Sequence, residues 1–341
     1  MRDVLITDRG GMMRQDTGAR PAYGVLVAVT SAVCFGTSGP LAKGLIDSGW
    51  SSAAVTAVRL GLGALLLVIP LVLMRRHLIQ NLRRAPLLVL AYGILGVAVV
   101  QLSFFNALRY LDVLIALLCE YSGIILVVGY DWLVRKRRPS LITGLGCVVA
   151  LGGLVLVILG GEGIGDVDPV GLLWAMGAAV GLAAYFILAT DDFARSGESV
   201  DPLALAAGGL LVGTVVIAVA GAIGVLPMSA ATDPVVLADT EIPWWLVALL
   251  VAGISTSLAY VTGVQAVRLL GATPASFIAL VEVVSSALFS WWLLGQTMAF
   301  AQLIGATVLL AGLVAVNAGG RRGISTGPKD LEPGSALQTP G

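Results

Sequence analysis

Charge is scarce in this sequence. Asp, Glu, Lys and Arg together make up 12% of 341 residues, about half of the ~25% usual for a soluble domain. So little charge could not solvate a water-soluble globule of this length, which excludes that class and leaves lipid as the solvent. Histidine is scarcer still: the one His77 stands in a basic segment between apolar runs. Gly36-Thr37-Ser38-Gly39 matches the short G-x-S-G pattern of intramembrane serine proteases, but those need a histidine on another span as general base, and His77 cannot reach the membrane interior. There is no H-E-x-x-H, no pair of intramembrane aspartates and no phosphate-cradling loop, so no enzyme, metal site or cofactor is expected. The three cysteines, Cys34, Cys119 and Cys147, lie in apolar stretches with no metal-ligand spacing and read as small packing residues. A secretory signal is also missing, because residues 1–20 mix Arg2, Arg9, Arg14 and Arg20 with Asp3, Asp8 and Asp16.

What the sequence has instead is apolar length. Apolar residues form 58% of it and the mean hydropathy is +0.97. A bilayer core of about 30 Å needs roughly 20 apolar residues per helix. Ten stretches qualify: 21–42, 51–74, 86–108, 112–134, 140–160, 169–190, 202–226, 243–266, 272–294 and 298–318. They must be helices, since an open strand in lipid leaves backbone groups unpaired. The expected fold is therefore an all-α membrane protein with ten transmembrane helices, and Trp50, Trp132, Trp244 and Trp245 fall near helix ends as interfacial anchors.

The distribution of Lys and Arg orients these spans. The N-terminal arm, the loop with Arg75, Arg76, Arg83 and Arg84, the run Arg135–Arg138, Arg195, Arg268 and the tail with Arg321, Arg322 and Lys329 hold 17 of the 20 basic residues on one side. The other side has only Lys43 and Arg109, and its loops 161–168 and 227–242 carry acids alone. By the positive-inside rule both termini are cytoplasmic. The tail 319–341, rich in Gly, Pro and Ser, reads as disordered.

The chain also repeats itself. An offset of 159 places Ala107-Leu108-Arg109 on Ala266-Val267-Arg268, Trp132 on Trp291, Gly146 on Gly305, and Gly153-Leu154-Val155 on Gly312-Leu313-Val314. Upstream the offset is about 147, where Gly24-Val25-Leu26 meets Gly171-Leu172-Leu173. The expected organisation is a cytoplasmic arm (1–20), a first five-helix repeat (21–160), a second (169–318) and the tail (319–341). Five is an odd number, so the second repeat must enter the membrane inverted, an architecture that recurs in secondary transporters with the substrate site between the halves.

At this point the sequence resembles a family. The segment 107–112 (ALRYLD), residues 120–140 (EYSGIILVVGYDWLVRKRRPS) and residues 266–296 (AVRLLGATPASFIALVEVVSSALFSWWLLGQ) are similar to the EamA-type transporters of the drug/metabolite transporter superfamily, over about residues 20–318. The resemblance implies a ten-helix permease that exports metabolites or amino acids. Two features depart from it. Family members often carry Pro a little way into helices 4 and 9, where this chain has Ile124 and Val283, and the common acid after Leu-Leu-Gly is Gln296.

Three charges lie well inside spans: Arg59, Glu120 and Glu282. Charges at such depth face a cavity or a partner. Either acid could bind a substrate ammonium or a coupling proton, and Arg59 could meet a carboxylate. Alternatively, Arg59 and Glu120, at similar depth, merely neutralise each other. Gln101 and Tyr260 are candidate cavity residues. So are Ser103, Asn106, Tyr121, Tyr185, Ser255, Thr256, Ser257 and Trp291 or Trp292, although hydroxyls in membrane helices commonly bond their own backbone. Gly36, Gly39 and Pro40 suggest a hinge or gate at the outer end of helix 1. Gly177/Gly181 and Gly209/Gly213 have the spacing of close helix packing, expected within the monomer. The expected function is a secondary transporter of amino acids or related zwitterions in a bacterial inner membrane, with proton coupling as an option, acting as a monomer or weak homodimer without a nucleic-acid partner. The alternative is efflux of lipophilic cations. Small exporters of that kind depend on an acid in their first helix, which this chain lacks.

Overall fold

The computed structural model describes residues 19–74, 85–160, 167–188, 202–270 and 278–325. The N-terminal arm, the basic segment 75–84, the loop 161–166, the segment 189–201 with Arg195, residues 271–277 with Pro274 and the tail beyond 325 lie outside the described residues.

The chain forms a bundle of rods that are apolar nearly all round, as lipid-facing helices are. Helix α1 comprises Ala19–Gly36 and Ser38–Asp47 with a turn at Thr37, and α2 spans Ser52–Met74. Helix α3 covers Pro86–Ala107, and its middle, Tyr92–Val99, is π-helical. Helix α4 is Val113–Tyr121 and Gly123–Leu133, interrupted at Ser122. Then come α5 (Leu141–Leu159), α6 (Pro169–Leu188) and α7 (Pro202–Ala222). A two-stranded hairpin, β1 (Val235–Leu237) and β2 (Thr240–Ile242), precedes α8. Helix α8 runs through Trp244–Ala252, a π-helical turn at Gly253–Leu258, and Ala259–Leu270. Helices α9 (Val281–Leu294) and α10 (Phe300–Ser325) complete the described chain. Among the described residues, eight helices are long and apolar enough to cross a membrane, while Ser52–Leu67 and Val281–Leu294 are apolar but shorter.

Three differences from the hydropathy reading bear on the site and the face above it. Helix α1 continues to Asp47, five residues further than expected, so the Gly36–Pro40 segment falls inside the rod and not at its outer end. Helix α10 continues to Ser325, into what the sequence suggested was tail. The loop 227–242 is not plain loop, because it contains the hairpin. Its two-residue turn, Ala238-Asp239, has φ of 50° and 56°, the type I′ geometry that matches the twist of paired strands.

The interruptions have local causes. Pro40 has no N–H to give the Gly36 carbonyl, so α1 loses a rung there. Ser122 turns its hydroxyl onto the Cys119 carbonyl (2.6 Å), and Ile125 N bonds Ser122 O three residues back, tightening the turn without a proline. At the head of α9, Val283 N bonds Leu280 O in the same way. The offset of 159 places Leu280 on Tyr121, next to the Ser122 break, and places the π-turn of α8 within that of α3. In α8 the hydroxyls of Thr256 and Ser257 donate to the carbonyls of Val251 and Ala252, five residues back, each at 3.0 Å.

Packing follows an exchange pattern. Helices α5 and α10 are antiparallel and close: a Cβ on Gly146 would lie 2.8 Å from Gly312 O, and one on Gly305 would lie 2.9 Å from Gly153 O. The offset of 159 thus carries the one contact onto the other. Ser140 Oγ donates to Gly319 O (3.1 Å) at one end of this pair, and Gln302 Nε2 donates to Val157 O (3.4 Å) at the other. Helix α1 runs antiparallel to α8, with Ser31 Oγ donating to Ala259 O (2.8 Å). Its counterpart α6 packs against α3, where Gly177 and Gly181 admit Ser103 and Val100. Gly209 and Gly213 of α7 likewise admit Tyr92 and Val97 of α3, with Leu60 of α2 also against Gly213. Both small-residue pairs therefore pack within the chain.

One face of the bundle is closed by the hairpin. Val235 and Leu237, 1% and 2% exposed, cover Gly44 near the end of α1. Trp50 Nε1 donates to Ala231 O (2.8 Å), and Ala238 N donates to Leu293 O (2.9 Å) at the end of α9. Lys43, on this face, donates to Leu108 O (2.7 Å) and lies 3.6 Å from Asp47.

Candidate functional site

Arg59 is the centre of the site. It is 3% exposed, and its guanidinium reaches three other elements. Nε donates to Thr256 Oγ1 (3.1 Å), Nη1 donates to Ser38 Oγ, and Nη2 reaches Ser255 O (3.4 Å). The group also lies over the Phe105 ring, 5.4 Å from its centroid. Thr37 joins the same network, its hydroxyl 2.7 Å from Ser255 Oγ and donating to Cys34 O (2.7 Å). The turn in α1 and the π-turn in α8, two of the places where backbone leaves the regular ladder, both converge on this one cation. A guanidinium has five N–H donors. Among the described residues three are engaged, one on each nitrogen, which leaves one on each terminal nitrogen for a further acceptor.

No ion pair closes on Arg59 among the described residues, so the alternative of a neutralising pair with Glu120 is not formed at contact distance. Glu120, Glu282 and Tyr260 nonetheless lie near enough to interact electrostatically with it. Glu120 is half-buried on α4, two residues before the break. Glu282, also half-buried, is in the first turn of α9, where the helix dipole favours an acid. It accepts a hydrogen bond from Tyr121 OH at 2.9 Å, which ties α4 to α9. Gly36 presses on the same turn: a Cβ there would lie 2.6 Å from Ser285 Cβ and 3.0 Å from Glu282 O. Tyr260 packs edge-on against Phe35 of α1 at 5.2 Å.

The other candidates fall elsewhere. Gly39 faces Val113 and Phe104, towards the hairpin face. Gln101 Oε1 is buried without a partner among the described residues, on α3 and joined by no hydrogen bond to the Arg59 cluster. Asn106 donates to Leu102 O on its own helix (2.9 Å), and Tyr185 stacks on Tyr92 at 5.2 Å. Trp291 and Trp292 are each 62% exposed and face the surroundings of the bundle, so neither lines an interior site. Ser38 stood out in the sequence only through the G-x-S-G pattern beside the kink. Its hydroxyl, next to a proline-broken turn, was the signal that it could serve another helix.

Gln296 takes over a structural task. Gly295 ends α9 in the left-handed conformation (φ 65°), with Gln296 N on Ser290 O at 3.2 Å. The Gln296 Oε1 then accepts Val113 N (3.2 Å), supplying α4 with the N-terminal acceptor that Asp112 does not. An acid here could make the same bond; the amide makes it without charge.

Comparison with known proteins agrees with this architecture. A model of the EamA-like transporter family matches the chain twice, over residues 22–159 and 169–318. The chain is 24% identical over 304 residues to an uncharacterized inner membrane transporter, YicL, of Salmonella typhimurium, covering 88% of this chain and 96% of that protein. A solved crystal structure shares the fold with a TM-score of 0.58 at 20% identity, over 88% of this chain and 98% of the other. The buried charges, the helix-only spans and the two family matches describe a membrane transporter and not an enzyme: the chain belongs to the EamA-like transporter family.

Proposed function

We propose that this protein is a secondary transporter of amino acids or related zwitterions in a bacterial inner membrane, working by alternating access between two inverted five-helix repeats. All ten rods cross the bilayer in this reading, with α2 and α9 completing the eight longer spans. Both termini lie on the cytoplasmic side, because the basic run Arg135–Arg138 and the end of α10 share the face opposite the hairpin, where Ser140 meets Gly319. The exchange of contacts between counterpart helices, the paired π-turns, the paired breaks and the double family match support the repeat.

The observation that carries the substrate class is Arg59: a deeply buried cation with no carboxylate at contact distance among the described residues, two free N–H groups, and two acids within electrostatic reach. A substrate carboxylate can take the N–H groups of a guanidinium bidentately, while Glu120 or Glu282 receives its ammonium. Glu282, held by Tyr121 at the head of α9, is also the group placed to carry a coupling proton. Substrate reaches Arg59 as α1 and α8 part around the Thr37 and π-turn irregularities. Counterflow in proteoliposomes, screened against amino acids and lipophilic cationic dyes, tests the assignment. Saturable amino-acid exchange is expected; saturable dye exchange without it would overturn the reading in favour of cation efflux.

A further inference from the structure

A pocket lies apart from Arg59, on the hairpin face between the start of α4, the end of α9 and the start of α10. Its volume is about 300 Å³. Its inner wall is polar and incompletely bonded. Ser290 is 3% exposed, and its hydroxyl has no partner among the described residues. That is unusual in this molecule, because Thr30, Ser285 and Thr307 each return their hydroxyl to the carbonyl four residues back. Gln296 spends its Oε1 on Val113 N, and Gln296 and Thr297 also line the pocket. Asp112 provides the charge. Lys43 is paired with Asp47, so these three groups leave one negative charge over. Such a carboxylate favours a cationic partner.

The outer wall is apolar and open. Leu288, Trp291 and Leu303 are exposed at the rim, on the flank that faces the bilayer. A site with polar depth, an uncompensated acid and a lipid-facing apolar mouth fits an amphiphile whose head carries both an ammonium and hydrogen-bond acceptors. We propose that this pocket binds the head group of an ethanolamine phospholipid of the surrounding leaflet, the ammonium on Asp112 and Ser290, the phosphate on Thr297 and the Gln296 amide, and the acyl chains along Leu288 and Trp291. The bound lipid would cover the seam between the two halves, where Gln296 of the second caps α4 of the first.

The test is native mass spectrometry of the full chain released from nanodiscs of equimolar phosphatidylethanolamine and phosphatidylcholine. Wild-type protein is expected to retain the ethanolamine lipid, with retention falling stepwise as the head is mono-, di- and trimethylated and loses its donors. Asp112→Asn is expected to reduce the preference about tenfold, the scale of one hydrogen bond to a charged group. Ser290→Leu, which fills the pocket, is expected to remove it. Equal retention of both lipids by wild-type protein would overturn the proposal, and this outcome needs no variant to fold. An unchanged preference in both variants, or saturable carriage of octylamine that competes with the lipid, would overturn it too, the latter by making the pocket a transport route.

Discussion

Replacing Arg59 by methionine separates a transport role from a structural one, because the two predict opposite effects on stability. Were Arg59 half of a buried ion pair, removing it would strand a buried carboxylate at a cost of about 3–5 kcal/mol. The structure gives it hydroxyls and a carbonyl instead. Its loss strands little: Thr256 already donates to Val251 O, and the Ser38 hydroxyl can turn to its own helix. Methionine fills similar volume and removes a buried charge, so folding stability is expected to stay level or rise by ~1–3 kcal/mol. Transport should move the other way. A substrate carboxylate about 4 Å from a cation gains about 4 kcal/mol at an effective dielectric of 20, and losing that corresponds to roughly a thousandfold weaker binding. Thermal unfolding in detergent, read beside counterflow in proteoliposomes, checks both arms. A variant that unfolds well below wild type, or one that exchanges amino acids at the wild-type rate, would refute the reasoning.

Three further outcomes follow from the packing. Tyr121→Phe removes the bond to Glu282, so it should cost about 1.5–3 kcal/mol of stability by thermal unfolding and slow exchange. Gly36→Ala pushes a methyl into Ser285 and should cost ~1–3 kcal/mol, with transport lost. Gly129→Ala, which meets nothing within 4 Å, should instead stabilise by about 0.5–1 kcal/mol; equal effects at the two sites would contradict the α1–α9 contact. Gln296→Ala should cost ~1 kcal/mol through the lost cap on α4, whereas Gln296→Glu should keep the acceptor and the stability.

The rods were legible in the sequence because hydropathy in lipid is a direct physical constraint, and most described ends fall within a few residues of it. The glycines aligned by the 159 offset also proved informative, since Gly146, Gly153, Gly305 and Gly312 are the residues that let α5 and α10 touch. The breaks were harder to see. Ile124 and Val283 replace the prolines that the family resemblance led one to look for, yet α4 and α9 turn beside them, through a serine hydroxyl and three-residue hydrogen bonds that leave no compositional trace. The hairpin was hidden because its turn uses Ala238 and Asp239 where glycine or asparagine would have signalled it. Of the site, the three charges were visible as charges. That Arg59 bonds Ser38 and Thr256, and no acid among the described residues, depends on how α1 and α8 cross, which sequence spacing within one half does not encode.

In the proposed mechanism Arg59 receives a substrate carboxylate. The most direct measurement compares counterflow of a transported amino acid with that of its decarboxylated amine, in wild-type protein and in Arg59→Met. Deleting the carboxylate is expected to abolish exchange in wild-type protein and to make no further difference in the variant. Equal exchange of acid and amine by wild-type protein would contradict it.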